Sequence, residues 1–392
     1  MTTIDLLVKG GRVIDPAQDI DEQLDIAVRA GHIVSIGRSL EGQLSSSAIR
    51  QTVDATGALV VPGLVDIHTH VYTGVCPLTI PADEVASRSG VTTMVSAGDA
   101  GANTIEGFRQ LIVNQSRTRI LTLLHISMVG LAPFPVGESL ELALHDVDAA
   151  EAAVSRFRDM IVGLKVRQSG PSVTGANGLE PLRRAIAVGK ATGLPVMVHI
   201  TDSDAPIGEL LSLLRKGDIV THCFTGSENG LREGGTITGA ARSARERGVV
   251  FDVGHGAGSF DFEVAEAAGR VDFWPDTIST DLHSLSASTA KSLPTVMSKL
   301  MAVGMPLKEV ISAATSRAVR AIGRGDKLGR LQVGSVADIA VLDQTSEPIE
   351  FHDTFGHRRT GNGQLKARHT IRAGRVWGVP THPGAGVAVF SE

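Results

Sequence analysis

The sequence predicts a (β/α)8 TIM barrel together with a small β-sandwich domain that is built from both ends of the chain. Its 392 residues are enough for a barrel of about 250 residues and a second unit. Short apolar runs alternate with Ala-rich stretches in the middle of the chain, whereas both ends cluster β-branched residues between Gly, Pro and Asp. We expect the sandwich at 1–57 and 326–392 and the barrel at 58–325.

The two ends of the chain have the pattern of short antiparallel strands. Near the N-terminus, LLVKGGRVIDP and LDIAVRAGHIVSIG place β-branched residues between turn-forming ones. Near the C-terminus, LGRLQVGSVADIAVLD (328–343) and ARHTIRAGRVWGVP (367–380) have the same pattern. Chain ends commonly lie close together, so the two ends can contribute to one domain.

The central residues predict repeated βα units, because helical patterns follow most of the apolar runs. The eight runs are VVPGLVDIH ending near 68, 92–98, 119–127, 162–168, 195–201, 218–224, 249–256 and 276–283. The helical candidates include 105–116, 147–159, 179–193, 237–247, 261–269, 290–303 and 307–321. A doubly wound sheet is the structural alternative, but no GxGxxG motif opens a helix after the early strands.

Composition and charge exclude several classes of function. The chain has 37 Lys and Arg against 42 Asp and Glu, and its aromatic residues are 11 Phe, 2 Trp and 1 Tyr, so we expect no nucleic-acid partner. No run reaches about 18 apolar residues, and MTTIDLLVKGG lacks the features of a signal peptide. We therefore expect a cytoplasmic protein without membrane contact. Cys76 and Cys223 are expected to be buried thiols, because neither belongs to a CxxC motif.

Polar side chains stand where several predicted barrel strands end, which is where barrel enzymes carry their chemistry. His68 and His70 end the first run, and the two-residue period of a strand turns both rings to the same side. Such a pair indicates either two metal ligands or two hydrogen-bonded histidines. Lys165 lies in the fourth run, where an unpaired ammonium is costly to bury, and a salt-bridged lysine is the alternative.

His199, His222 and Asp281 end the fifth, sixth and eighth runs. Each could be a satisfied core histidine or a turn-capping carboxylate. These structural interpretations would have to hold independently at several strands, whereas one metal site explains all the positions together. Imidazole and carboxylate ligands suit Zn²⁺ and related divalent ions. Lys165 could join such a site after CO2 converts its amine into a carbamate, a two-oxygen anion that can bridge two metals.

This ordered set resembles the amidohydrolase superfamily, in particular its dihydroorotase-like branch with a binuclear metal centre. The VPGLVDIHTH opening, the lysine of the fourth strand, the two later histidines and the final aspartate carry the resemblance, which covers essentially the whole chain. It implies that His68 and His70 bind the more buried metal and that His199 and His222 bind the exposed one. It also implies that Lys165 is carboxylated and bridges both ions.

The reaction implied by the resemblance is metal-assisted hydrolysis. A hydroxide between the ions attacks a carbonyl carbon, and Asp281, a ligand of the buried ion, passes its proton to the leaving group. Three positions differ from relatives in the superfamily. Tyr72 stands where dihydroorotases carry a substrate-binding Arg, and Asp202 stands where deaminases carry a Glu. Ser96 lies in the strand that carries a Cys ligand in D-aminoacylase relatives. The remaining resemblance is to a bacterial deacetylase group, which implies deacylation of a small N-acyl amino acid or O-acyl hydroxy acid.

Four residues are candidate contacts for a small-molecule substrate: His255, Tyr72, Arg167 and His283. His255 lies among small residues that would let a ligand approach the backbone, although a hydrogen-bonded histidine in a turn is the alternative. The resemblance also implies a homo-oligomer. Two other functions stay open, namely a cyclic-amide hydrolase of hydantoinase or dihydroorotase type and a non-catalytic barrel scaffold.

Overall fold

The computed structural model describes residues 3–43 and 49–377, which form two main sheets with helices packed around one of them. The strands are β1 (Leu6–Asp15), β2 (Ile20–Arg29), β3 (His32–Gly37), β4 (Thr52–Asp54), β5 (Leu59–Pro62), β6 (Leu64–Thr69), β7 (Val91–Ala97), β8 (Arg119–His125), β9 (Ile161–Arg167), β10 (Val196–His199), β11 (Ile219–Thr221), β12 (Arg232–Glu233), β13 (Thr236–Ile237), β14 (Val250–Phe251), β15 (Ile339–Gln344), β16 (Pro348–His352), β17 (Arg358–Asn362), β18 (Leu365–Arg372) and β19 (Arg375–Trp377). The helices are α1 (Leu40–Gln43), α2 (Ala82–Ser89), α3 (Ile105–Phe108), α4 (Val147–Arg156), α5 (Glu180–Thr192), α6 (Ile207–Leu213), α7 (Gly239–Glu246), α8 (Phe262–Gly269), α9 (Leu293–Ala302), α10 (Leu307–Ala313) and α11 (Ser316–Ala321).

Seven parallel strands form one curled sheet in the order β6-β7-β8-β9-β10-β11-β14. The eighth predicted strand, 276–283, is not a regular strand in the structure. It makes two isolated bridges instead, between Asp252 and Thr277 and between Thr69 and Leu282. Because these bridges reach both edge strands, the segment spans the gap between β14 and β6 and gives a TIM-barrel-like arrangement.

Two buried carboxylates hold the segment 276–283 in this gap. Asp66 accepts a hydrogen bond from the backbone N–H of Thr280 (3.0 Å), and Asp252 accepts one from the hydroxyl of Ser279 (2.7 Å). Burial raises the pKa of Asp66 to about 7 and that of Asp252 to about 6, although the hydrogen bonds favour their ionised forms. Side-chain acceptors therefore take over part of the bonding that a regular strand would obtain from its neighbours.

Apart from α1, α2 and α6, the described helices lie within the predicted helical stretches, one of which is interrupted. The stretch 307–321 is divided into α10 and α11 at Thr315, whose φ of −135° and ψ of −94° leave the helical region. The Thr315 hydroxyl donates to the carbonyl of Ile311 (2.6 Å), so the side chain competes with the backbone where the helix breaks. The sequence analysis did not identify the shorter helices α2 and α6, which follow Pro81 and Pro206.

The second main sheet has the order β19-β18-β15-β5-β1-β2-β3, with β4 paired to β1. It contains both parallel and antiparallel pairs and is called the mixed sheet below. It joins strands from both ends of the chain, as predicted, but these described strands form one continuous sheet, so the predicted sandwich is not confirmed. Leu59–Pro62 pairs within this sheet, and the first strand of the parallel sheet begins at Leu64. The domain division at 57 and 325 stays a prediction; residues 1–2, 44–48 and 378–392, including the end of the run 367–380, lie outside the described residues.

The largest apolar cluster fills the space between the parallel sheet and its helices, with Phe108, Phe224 and Phe251 fully buried. Cys76 and Cys223 are buried free thiols, as predicted. None of the described helices has the length and apolar character needed to cross a membrane. The core thus supports the parallel strands, whose carboxyl ends carry polar residues.

Candidate metal centre

The polar strand-end residues predicted from the sequence meet at the carboxyl end of the parallel sheet. Most of them line one cavity of about 90 Å³, which Arg167 and His283 also border. The His222 ring lies beside this cavity, with its centroid 4.1 Å from that of His199 and 5.1 Å from that of His68. The residues brought together in this way are His68, His70, Lys165, His199, His222 and Asp281.

Asp281 lies at the centre of this group. Its Oδ1 atom is 3.2 Å from Nε2 of His68 and 3.0 Å from Nε2 of His70. Although burial opposes ionisation, the neighbouring His68 and His70 rings hold the pKa of Asp281 well below its usual range. These three side chains offer ligand atoms close enough to one another to hold a single cation.

His222 presents an unused nitrogen to the same group. Its Nδ1 donates to the carbonyl of Gly254 (2.6 Å), so Nε2 keeps its lone pair, and this buried atom has no hydrogen-bond partner among the described residues. Burial lowers the pKa of His222 to about 4, and burial together with the His222 ring lowers that of His199. Both rings are therefore neutral at pH 7, as metal ligands must be.

Two of these residues have backbone conformations that L-amino acids rarely adopt. His222 has a φ of +66° and Asp281 a φ of +48°. Neighbouring glycines make room for them: a Cβ atom on Gly254 would lie 3.0 Å from His222 Nδ1, and one on Gly256 would lie 2.6 Å from Asp281 Oδ2. The small residues of DVGHGAGSF thus accommodate the centre itself, and such strain is typical of functional sites.

Hydrogen-bond partners on Nδ1 fix the orientation of His68, which lies in β6, and of His70, which directly follows β6. The Nδ1 atom of His68 is 2.8 Å from the hydroxyl of Thr221, which in turn donates to Asp252 (2.8 Å). The Nδ1 atom of His70 is 2.5 Å from Asp99 Oδ1. In both cases Nε2 is left to face Asp281 and the cavity, which is the arrangement that orients histidine ligands of metals.

Asp99 is a member of the site that the sequence analysis missed. Its second oxygen accepts hydrogen bonds from the backbone N–H groups of Val71 (2.6 Å) and Tyr72 (3.0 Å). Burial opposes a charged His70, but the carboxylates of Asp99 and Asp281 outweigh it and raise the pKa of His70 to about 9. Asp99 follows the second apolar run directly, so its position at a strand end was a usable signal.

Lys165 is buried, with an exposed fraction of 3%. Its Nζ atom is 3.0 Å from Nε2 of His68 and 3.7 Å from Sδ of Met197. Burial lowers the pKa of Lys165 to about 8, against the opposing effect of Asp281. The amine of Lys165 is therefore neutral in a larger fraction of molecules than the amine of an exposed lysine would be. The neutral amine is the form that can react with CO2.

Two of the four predicted substrate contacts border the cavity. Arg167 does so while its Nε and Nη2 atoms bind the buried carboxylate of Glu138 at 2.8 and 2.9 Å. His283 places Nε2 3.9 Å from Asp281 Oδ2, and its Nδ1 accepts a hydrogen bond from the backbone of Leu285 (3.2 Å). Both residues therefore lie where a ligand of the cavity can reach them.

The other two predicted contacts, Tyr72 and His255, are not among the residues that line the cavity. Tyr72 donates its hydroxyl to the carbonyl of Thr104 (3.0 Å) and packs edge-on against Phe108. His255 is fully buried, and its Nε2 lies 2.7 Å from Nζ of Lys299 while its ring stacks on a phenylalanine. Their polar atoms already have protein partners and neither residue lines the cavity, and a substrate contact for either one stays a prediction.

His125 and Glu138 also belong to the site and were not identified from the sequence. His125 ends β8 and lines the cavity, and Glu138 lies in the long connection after β8. The run RILTLLHIS has a histidine two residues before its end, just as the fifth and sixth runs do, so the same signal was present for His125. Glu138 offered no comparable pattern, because its role depends on contacts with distant residues.

Comparisons with known proteins agree with this geometry. The model of the amidohydrolase family matches residues 59–367. A deacetylase of Agrobacterium fabrum (strain C58) is 37% identical over 329 residues, which cover 83% of this chain and 79% of the relative. A crystal structure of a dihydroorotase has a TM-score of 0.87 and 32% identity, covering 95% of this chain and 99% of that one. A crystal structure of an adenine deaminase has a TM-score of 0.87 and 30% identity, covering 96% of this chain and 100% of that one.

The family match spans the parallel sheet, its helices and part of the mixed sheet, and therefore every residue of the candidate centre. The His and Asp groups at the carboxyl end of the sheet are of the kind that could bind a metal. The resemblance read from the sequence is thus confirmed, and the chain is a hydrolase that belongs to the amidohydrolase family.

Proposed function

We propose that this protein is a zinc-dependent hydrolase that removes the acyl group from a small N-acyl amino acid or O-acyl hydroxy acid. The observation that carries the proposal is the convergence of the strand-end histidines, Lys165 and Asp281 on one buried cavity. The similarity to a deacetylase at 37% identity supports acyl removal. The cavity volume of about 90 Å³ supports a small substrate, since pockets for drug-sized ligands hold about 300–1,000 Å³.

The donor set fits one or two divalent ions. His68, His70 and Asp281 would hold a buried ion, and His199 and His222 would hold a second one, with Lys165 between the two as a carbamate. The partnerless Nε2 of His222 supports this assignment, because a buried lone pair without a donor is costly unless a ligand uses it. A bound divalent metal supplies an acidified water and a Lewis acid for the carbonyl oxygen.

Asp281 is proposed to move the proton in this reaction. Its Oδ1 atom already faces the His68 and His70 rings, whereas Oδ2 has no hydrogen bond within the described residues. Oδ2 is therefore the atom that accepts the proton of the attacking water and delivers it to the departing amine or alcohol. The nearby His283 ring borders the same oxygen and can contact the leaving group.

Arg167 is proposed to bind the carboxylate of the substrate. Glu138 fixes one edge of the guanidinium through two hydrogen bonds, and the described residues give Nη1 no partner. A guanidinium held in this way is pre-organised for a second carboxylate at the mouth of the cavity. The contact would select acylated acids over neutral amides.

A cyclic-amide hydrolase is a second candidate, because a dihydroorotase structure matches nearly the whole chain at 32% identity. The non-catalytic scaffold is not favoured, since all six predicted ligand positions carry their ligand types. The deciding experiment screens the zinc-loaded protein against N-acyl amino acids of both hands, O-acyl hydroxy acids, hydantoins and dihydropyrimidines. Turnover confined to cyclic amides would overturn the proposed deacylase, and turnover of acylated acids would support it.

The variant Asp281→Asn tests the proton-transfer role. The amide keeps the shape of the side chain but cannot accept a proton at neutral pH, so we expect kcat to fall by about 10²- to 10⁴-fold with the fold retained. Steady-state kinetics and circular dichroism measure the two effects. A variant with kcat close to that of the unmodified protein would remove Asp281 from this role.

The variant Lys165→Ala tests the carbamate. Loss of the bridging oxygens should abolish activity and lower the zinc content, and short-chain carboxylic acids should restore part of both by occupying the same place. Carbon-13 NMR of the unmodified protein under labelled CO2 gives an independent measurement, with a carbamate resonance that the variant lacks. Unchanged zinc content without chemical rescue would contradict the assignment.

A further inference from the structure

We propose that His125 is a further catalytic residue, whose Nε2–H group donates a hydrogen bond to the carbonyl oxygen of the substrate while the carbonyl carbon is attacked. This inference rests on the proposed hydrolysis and adds a residue to it. Its basis is one buried donor that borders the cavity and has no partner among the described residues.

His125 lies at the level of the reacting centre. It is the last residue of β8, and the register of the parallel sheet pairs it with Lys165 on β9. Only 1% of His125 is exposed, and its ring borders the same cavity as His68 and His70. Gly98 brings it close to Lys165: a Cβ atom there would lie 2.9 Å from Cδ2 of His125 and 2.6 Å from Cγ of Lys165.

The hydrogen bonds of the ring determine which nitrogen carries the proton. The backbone N–H of Ser127 donates to Nδ1 of His125 at 2.9 Å, so this nitrogen is an acceptor. A neutral imidazole with an accepting Nδ1 carries its hydrogen on Nε2, which makes Nε2 a donor and excludes it as a metal ligand in this tautomer. The ring is thus prepared to donate, and a buried donor without a partner is rare in proteins.

The carboxylate of Glu138 lies near this donor but does not accept a hydrogen bond from it. Oε1 of Glu138 is 3.6 Å from Nε2 of His125, which is beyond hydrogen-bond distance. The same carboxylate is held by the guanidinium of Arg167 through contacts of 2.8 and 2.9 Å. Glu138 is therefore fixed on Arg167, and the donor of His125 remains available to a molecule in the cavity.

A neutral donor at this position suits the carbonyl oxygen. When the water oxygen bonds to the carbonyl carbon, the π electron pair moves onto the carbonyl oxygen, and a hydrogen bond from Nε2–H stabilises that charge without proton transfer. The pair returns when the bond to the leaving group breaks, and the leaving group takes the proton carried by Asp281. His125 keeps its hydrogen throughout, so the atoms and electrons balance.

The test compares His125→Phe, which keeps a ring but removes the donor, with His125→Gln, which can present an N–H group near the same place. His145→Phe is the matched control, because His145 is equally buried and contacts the Glu138 backbone (3.3 Å) without bordering the cavity. All proteins are loaded with zinc, and their metal content and melting temperature are recorded. We expect His125→Phe to lower kcat by about 10²- to 10³-fold, with KM changing much less.

Two further results are expected from these proteins. His125→Gln should recover at least about tenfold of the lost kcat, and His145→Phe should keep kcat near that of the unmodified protein. Calorimetry with methylphosphonate, a tetrahedral analogue of acyl transfer, should show a loss of affinity in His125→Phe that follows its loss of kcat. Equal effects of His125→Phe and His145→Phe, or a kcat unchanged in His125→Phe, would overturn the inference.

The same measurements separate this inference from the proposed function. If the unmodified protein hydrolyses only cyclic amides, the deacylase proposal fails, while the His125 comparison is made on the cyclic substrate. If no substrate is turned over, the methylphosphonate affinities alone decide. An affinity that is equal in His125→Phe and the unmodified protein then overturns the role of His125.

Discussion

At the scale of single residues, the candidate centre depends on which nitrogen of each histidine faces the cavity. Three different acceptors occupy Nδ1: Thr221 for His68, Asp99 for His70 and the Gly254 carbonyl for His222. The histidines themselves could be predicted because each ends or directly follows an apolar run. Their acceptors could not, since these pairs are separated by 153, 29 and 32 positions and nothing local marks the partner.

The variant Asp99→Asn tests this orientation at one residue. Asp99 accepts from the His70 ring with one oxygen and from two backbone N–H groups with the other, whereas an amide offers only one accepting side. One of these contacts must then place two donors against each other. We expect the affinity for zinc to fall by about 10- to 100-fold, measured by competition with a chelator.

Asp25→Asn is the matched control for this prediction. Asp25 is also buried and accepts from two backbone N–H groups, of Gly10 and Leu40, but it lies in the mixed sheet. We expect it to lower the free energy of unfolding and to leave the zinc affinity unchanged. Equal zinc affinities in the Asp99 and Asp25 variants would show that Asp99 does not orient a ligand.

At the scale of elements, the parallel strands could be predicted well because strands buried on both faces read as continuous apolar runs. The exception is 276–283, whose apolar and polar residues resemble a strand but whose bonding comes partly from the Asp66 and Asp252 side chains. That partial substitution of side-chain for backbone acceptors depends on residues 27 and 214 positions away. It therefore left no pattern within the run itself.

The turn after β7 gives a prediction at this scale. Gly98 has a φ of +93°, and a Cβ atom there would lie 2.6 Å from Cγ of Lys165 and 2.9 Å from Cδ2 of His125. Gly98→Ala should therefore combine backbone strain with displacement of both side chains. We expect a loss of unfolding free energy of about 2 kcal/mol or more, because strain and overpacking add, together with a lower zinc content.

Gly57→Ala separates the effect of backbone strain from the effect of displaced neighbouring side chains. Gly57 has a φ of +74°, but nothing lies within 4 Å of the Cβ atom it would gain. We expect the free energy of unfolding to fall by about 1 kcal/mol because of backbone strain alone, with zinc content and activity retained. Thermal and urea unfolding measure the stabilities. The interpretation fails if both glycine variants lose the same stability and both keep their zinc.

At the scale of the whole molecule, the two ends of the chain form one sheet that joins the parallel sheet and its helices through both apolar packing and polar contacts. That both ends contribute strands was within reach of the sequence, because they had the same β-branched pattern, but the pairing of β5 with β15 was not, because residues 60–62 belong to the run predicted as the first barrel strand. The β16–β17 hairpin was not, and its contacts with α9 have no local signal. A buried polar contact in this joint is made by Asp338, which binds Arg119 of β8 (2.6 Å) and the backbone N–H of Ala373 (2.8 Å).

The variant Asp338→Ala tests this buried contact. Asp338 is 8% exposed, so Asp338→Ala would leave the Arg119 charge and the Ala373 N–H without their acceptor. We expect the free energy of unfolding to fall by about 3 kcal/mol, the lower end for breaking a buried pair, because Arg119 keeps some access to water.

Asp19→Ala is the matched control. Asp19 forms an ion pair with Lys308 of α10, which also links the mixed sheet to the helices of the parallel sheet, but both of these side chains are exposed. Urea unfolding should show little change for that variant, because exposed ion pairs contribute little. Equal stabilities of the two variants would mean that Asp338 does not hold the two sheets together.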